Sequence, residues 1–317
     1  ATALAVAGKR IIAVGSVEQI KALLGARKYK IDDTFKTRII MPGFIDQHLH
    51  PVAAALALST EIISTEDWQL PKRTYRAANS PVEYLARLQR IHERMPQANE
   101  WLISWGYHPL WHGKLDREAL DEISSKRPIV IWHRSTEEFF LNTPALKALN
   151  ITEEMTRDKG AVSSQLNWEQ GHFWREGISV IAAPLLNVIA SQQRLGADLA
   201  MLATYLHVNG VTAFGEAGAL ITPDLWKQYE KYFGNASAQF YGMFVPDGRL
   251  IAEQVGYEQA VEVTQAKATQ APEEPGKTLM ILSRQINLHT DGSLLSQSMQ
   301  MKDNAQGHHG EWIMPPD

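Results

Sequence analysis

The chain has no cysteine among its 317 residues, which excludes disulfides, thiolate metal sites and a cysteine nucleophile. It also lacks a basic block. Lys and Arg number 31 against 35 Asp and Glu, a formal net charge of −4, so nucleic acid is not an expected partner. No apolar run reaches the ~18 residues that a membrane helix needs, so no membrane partner is expected either. Residues 1–15 have no basic segment followed by an apolar one, and therefore do not read as a signal peptide. They also lack an initiating Met. The expectation is a cytoplasmic chain that starts inside a longer gene product. What is present is ordinary globular material: 44% hydrophobic and 21% charged residues, long enough for one large α/β domain or two smaller ones. The nine Trp suit a deep cleft, or plain core packing.

The organisation changes along the chain. Residues 1–38 read as a partial small β-domain, with alternating strands around Gly8-Lys9, a helix over 17–24 and a short strand at 30–32. Residues 39–64 hold a strand after the Pro42-Gly43 turn and carry the sharpest motif. Residues 65–190 read as an inserted α/β subdomain. One helix there is well signalled, with Ser80 as cap, Pro81 at the first position, Glu83 completing a capping box, and an apolar face of Leu85, Leu88, Ile91 and Met95. Strands are predicted over 101–107 and 128–133, with a helix over 117–123 between them. From 191 to 317 strands and helices alternate: helices to about 207, over 222–234 and over 251–268, and strands at 211–214, 239–245 and 284–289. That spacing predicts parallel βα units. Residues 271–277 read as a solvated loop.

Asp46, His48 and His50 fall on one face of a strand by its period of two. Two imidazoles placed so can bind one cation, and Asp46 could orient one of them. A bare His-x-His is also common without a metal. The longer string Met41-Pro42-Gly43-Phe44-Ile45-Asp46-Gln47-His48-Leu49-His50-Pro51 is far more specific. It resembles the first-strand signature of the amidohydrolase superfamily. Residues 8–15 resemble the small β-domain strand that precedes that signature. Residues 209–218 and Thr290-Asp291-Gly292-Ser293 resemble the second and fourth barrel strands of one branch, which has a large insertion after strand one and includes N-substituted formamide deformylases.

The resemblance implies a (β/α)8 metal-dependent hydrolase barrel, incomplete in this chain. It implies one or two divalent ions, Zn first with Fe or Mn as alternatives, activating water for attack on a carbonyl carbon of a non-peptide C–N bond in an amide or cyclic amide. His48 and His50 would be metal ligands, and Asp46, Glu216 and His289 further ligands or their supports. The general base, a carboxylate of the last strand, would lie beyond residue 317. Asn287 stands where the branch carries a lysine that, when carbamylated, bridges two metals; an amide cannot do this. A single metal is then expected, or a bridge from another group such as Glu216 or His289.

His172, Asp291, His308 and Trp312 are candidates for the substrate cleft. His133 and Arg134 end a strand and read as a cleft edge or as a charged loop. His92 and His207 read as histidines of helix surfaces and last turns. Two other readings stay open: a catalytically inactive or truncated barrel acting as a binding module, and a lactone or ester hydrolase of the same superfamily. The expected partners are a small-molecule substrate and, by default, a second copy in a homodimer. Four barrel strands with open edges also predict a chain that aggregates or is inactive alone.

Overall fold

The alternating apolar residues on either side of Gly8 form an antiparallel pair, β1 (Ala3–Ala7) and β2 (Arg10–Gly15). Helix α1 (Val17–Leu24) follows. The Gln19 N–H donates to the Ser16 hydroxyl, and the Ser16 N–H donates back to the Gln19 side chain, a reciprocal capping box. The strand predicted at 30–32 is not formed. The Asp32 carboxylate accepts the Thr34 N–H and hydroxyl, and this local turn replaces pairing with another strand. These elements belong to the first of two compact units, Ala1–Pro42; the second is Gly43–Asp317. The computed structural model describes residues 1–8, 10–97, 99–157, 160–190, 192–235, 239–256, 258–263, 278–282, 285–296, 298–302, 310 and 312.

The second unit begins with β3 (Phe44–Asp46), which stops four residues short of the strand end predicted at His50. Asp46 causes the stop: its carboxylate accepts the His48 N–H and turns the chain out of the ladder. Pro51 then opens α2 (Pro51–Leu58), its fixed φ suited to the first helical position. The inserted region runs through β4 (Glu61–Ile62), the hairpin β5 (Trp68–Gln69) and β6 (Thr74–Tyr75), and α3 (Pro81–Arg94). Ser80 caps α3 as predicted, but Glu83 accepts the Asn79 N–H and not that of Ser80, so the capping box is displaced by one residue. Its inward face is Tyr84 and Leu88 with Ile91 and Met95 beside them; Leu85 is exposed.

Next come β7 (Leu102–Tyr107), α4 (Pro109–His112), α5 (Arg117–Ile123), β8 (Ile129–His133), β9 (Glu138–Leu141) and α6 (Thr143–Ala148). They lead through α7 (Ala161–Ser164), β10 (Leu166–Asn167), β11 (His172–Trp174) and a 3₁₀ turn, Arg175–Val180, to α8 (Ala182–Ile189). The sheet order is β10-β11-β9-β8-β7-β4. β7 and β8 are buried along their whole length, which is why they read as largely apolar runs, broken only by Ser104 and Gly106 and by the closing His133.

The regular part of the chain holds α9 (Gln192–Val208), β12 (Val211–Ala219), α10 (Pro223–Tyr232), β13 (Tyr241–Pro246), α11 (Gly248–Val255) and β14 (Leu279–Ile281). Leu199, Leu202 and Leu206 form the buried stripe of α9. A further helical stretch covers 258–263; the predicted continuation to 268 and the loop over 271–277 lie outside the described residues. β3, β12, β13 and β14 form one parallel sheet in chain order. Among the described residues this sheet has four parallel strands, half the number an eight-stranded barrel needs.

The fourth strand is not where it was predicted. Leu279–Ile281 pairs with β13, because Leu279 fills the buried side of that edge, whereas residues 285–289 make a single bridge, Asn287 to Asp247. One hydrophobic core joins the inserted sheet to this parallel sheet, with Trp132 and Phe173 in the same cluster as Phe214 and Phe244. Among the described residues no helix is long and apolar enough to cross a membrane.

Candidate metal centre

His48 and His50 lie just past the C-terminal end of β3, where parallel barrels build their sites. The Leu49 N–H donates to the Gly215 carbonyl, which keeps the segment against β12 although the strand has ended. The two imidazoles converge: Nε2 to Nε2 is 3.1 Å, with ring planes 79° apart. Two nitrogens bound to one tetrahedral ion at ~2.0–2.1 Å stand roughly 3.3 Å apart, so the pair fits two positions of a divalent-metal site. One Nε2–H donating to the other ring also accounts for the distance.

Glu216 supports the pair from β12. Its Oε1 is 3.9 Å from His50 Nδ1, the nitrogen remote from the convergent one, so it stands beside the imidazole without a direct hydrogen bond and is not a ligand in this arrangement. The carboxylate is buried, and the Tyr229 hydroxyl donates to its Oε2 at 3.1 Å. Burial and the adjacent carboxylate push the Tyr229 hydroxyl far above its ordinary range, so it remains a donor. Asp46 does not orient an imidazole: its carboxylate is engaged by the His48 backbone N–H.

His289 stands in a different cluster. Its Nε2 is 3.2 Å from Asp247 Oδ2 and 2.9 Å from Asn287 Nδ2. The Asp247 hydrogen bond raises the imidazole above its usual value. Burial raises Asp247, but His289 and the N–H groups at the start of α11 outweigh it and hold the carboxyl low. Gly218, at φ +84°, makes room for this cluster: a Cβ there would stand 3.1 Å from both Asn287 Nδ2 and His289 Nε2. Asp247 was missed in the sequence, where the signal was an Asp-Gly following a strand and opening a helix. Among the described residues no group of three His, Asp or Glu is close enough to hold a metal, so His289 does not join the pair.

The cleft candidates are dispersed. Asp291 and Trp312 face each other across an isolated antiparallel bridge, but the Asp291 carboxylate accepts the Gln300 N–H and the Thr290 hydroxyl. His308 lies outside the described residues. His172 pairs with Glu138 in the inserted sheet at 2.9 Å. The loop after His289 is clasped to the same region, Ser293 and Ser296 donating to the Glu137 carboxylate, and Arg249 at the start of α11 donates to Glu176.

His133 is the buried last residue of β8 and not part of a charged loop, while Arg134 pairs with Glu66. His92 accepts from the buried Arg127 guanidinium, a role beyond a surface helix histidine. His207 stacks on Phe240.

No family model and no curated protein matches the chain. Two solved structures share its fold, uncharacterized metal-dependent hydrolases from Pyrococcus horikoshii OT3 and Pyrococcus furiosus. Their TM-scores are 0.56 and 0.54, both at 16% identity, and both matches cover 98% of this chain. The chain spans 56% and 57% of the length of those two structures, and at this identity the likeness establishes the fold.

Proposed function

We propose that the chain contributes His48 and His50 to the divalent-metal centre of a hydrolase acting on a non-peptide C–N bond, an amide or cyclic amide. The observation that carries this reading is the 3.1 Å convergence of the two Nε2 atoms past the end of a parallel strand. The fold likeness to two proteins described as metal-dependent hydrolases supports it. The motif over residues 41–51 supports the finer assignment to the amidohydrolase superfamily, and residues 209–218 the branch of N-substituted formamide deformylases.

A divalent cation there, Zn with Fe or Mn as alternatives, would supply a Lewis acid for the substrate carbonyl and a lowered pKa for water. The chain's own residues do the positioning. Glu216 sets a buried carboxylate 3.9 Å from His50 Nδ1, on the side of the ring away from the metal position, and Tyr229 holds Glu216. Asp247 and His289 can hold a proton between them at the ends of the strands. The substrate is a small molecule, and a homodimer is the default assembly.

The test is metal content after loading with Zn²⁺ and desalting, for the wild-type chain and for His48→Ala and His50→Ala. The reading expects bound zinc in the wild type and its loss in both variants at unchanged circular dichroism. Equal zinc in all three would overturn it. A panel of N-substituted formamides, cyclic amides and lactones then separates the C–N reading from the ester reading.

A further inference from the structure

The inserted sheet holds a histidine–carboxylate pair that the metal reading leaves unused. Glu138 opens β9 and His172 opens β11, on adjacent antiparallel strands. His172 Nε2 lies 2.9 Å from Glu138 Oε2. Burial raises the Glu138 carboxyl, but the His172 hydrogen bond and the neighbouring imidazoles outweigh it and keep it low. Glu138 is therefore the acceptor, and Nε2 carries the proton. In the neutral ring the other nitrogen, Nδ1, then presents a lone pair.

Three nearby histidines have no such freedom. His108, His112 and His133 each use Nδ1 to accept a backbone N–H, from Leu110, His108 and Ser135 respectively. His172 Nδ1 has no partner among the described residues, and the side chain keeps 19% of its surface exposed. The ring is held in place: it stacks on Phe140 at 4.1 Å and 6°, and Trp174 lies 4.6 Å away. Trp174 is only half-buried, which leaves part of an aromatic surface beside the His172 ring.

We propose that His172, positioned by Glu138, is a metal-independent acyl-transfer centre that accepts activated aryl esters. Nδ1 adds to the ester carbonyl carbon, and the bond from that carbon to the aryl oxygen breaks. The phenolate leaves, and the Nε2 proton passes to Glu138, giving a neutral acyl-imidazole. Water adds to the acyl carbon and the C–N bond breaks. Glu138 returns its proton to Nε2, one water proton stays on the carboxylic acid and the other goes to solvent. Trp174 supplies the surface for the aryl ring.

The probe is p-nitrophenyl acetate, with the purified chain kept in EDTA so that the metal reading is not engaged. The expected result is p-nitrophenolate release that falls about tenfold or more in His172→Gln, falls in Glu138→Gln with partial recovery in Glu138→Asp, and is unchanged in His207→Gln. Diethyl pyrocarbonate labelling of the wild-type chain, mapped by peptide mass spectrometry, covers the case in which a variant does not fold. It should modify His172 ahead of His108, His112 and His133. An EDTA-resistant rate that is equal in the wild type and in a folded His172→Gln would overturn the proposal, as would labelling of the three capped histidines before His172.

Discussion

Glu216 sets how firmly His50 is aimed. It lies 3.9 Å from the nitrogen remote from the convergent one, so its removal should leave both donors present and loosen one of them. Glu216→Gln is expected to weaken zinc binding by roughly 10–100-fold, read by competition with a chromophoric chelator, with little change in fold. An unchanged affinity would show that the carboxylate is a structural partner of Tyr229 only. His133 gives a second prediction. Burial, with His108, His172 and Arg134 close by, lowers it from 6.5 to about 4 against the opposing pull of the Glu138 carboxylate. Between these values the unfolded chain binds the proton and the folded one does not, so stability falls as pH drops from 6.5 towards 4 and rises on the way back. The contribution is at most about 3 kcal/mol. Urea midpoints measured across that window should slope in the wild type and flatten in His133→Asn. At this scale the sequence showed His48 and His50, because they sit two apart in a recognisable string. Glu138 and Asp247 were hidden, because strand pairing brings each to a histidine distant in the chain.

The inserted sheet is tied to its helices by single polar residues, and Asn142 is the clearest. It is fully buried, and its side-chain oxygen accepts the Ile129 and Ala145 N–H groups, joining the start of β8 to the first turn of α6. Its amide donates to the Ser124 and Arg127 carbonyls, which fixes the end of α5. Asn142→Asp keeps the acceptor and removes both donors, leaving a charge and two carbonyls without partners. A loss of about 2–4 kcal/mol is expected from chemical denaturation, more than Asn142→Ser should cost, since a hydroxyl can still cap α6. Helices such as α3, α9 and α10 were legible because caps and stripes are local signals. β14 was not. It is three residues long, its pairing with β13 is non-local, and a more polar segment starting five residues later offered a better local pattern.

The four-stranded parallel sheet is unevenly covered. Phe214 and Phe244 pack under α10, within 5.3 Å of Phe233 and 4.8 Å of Tyr229 respectively. On the opposite face Ile45, Ala213 and Tyr241 share one row and Met243 follows in the next. There Ile45 is 63%, Tyr241 61% and Met243 39% exposed. Among the described residues, β3 and β14 each have a neighbour on one side only. A flat apolar face beside open strand edges is an association surface. The 317-residue chain is therefore expected to self-associate, with a mass by light scattering that grows with concentration. Ile45→Lys and Met243→Lys should lower that mass and leave the melting temperature nearly unchanged, because neither side chain is packed. If the face is instead covered within the folded chain, a lysine there buries a charge, and the melting temperature falls with no gain in dispersity. The two outcomes have opposite signs, so one thermal scan beside one scattering titration distinguishes an open sheet from a covered one.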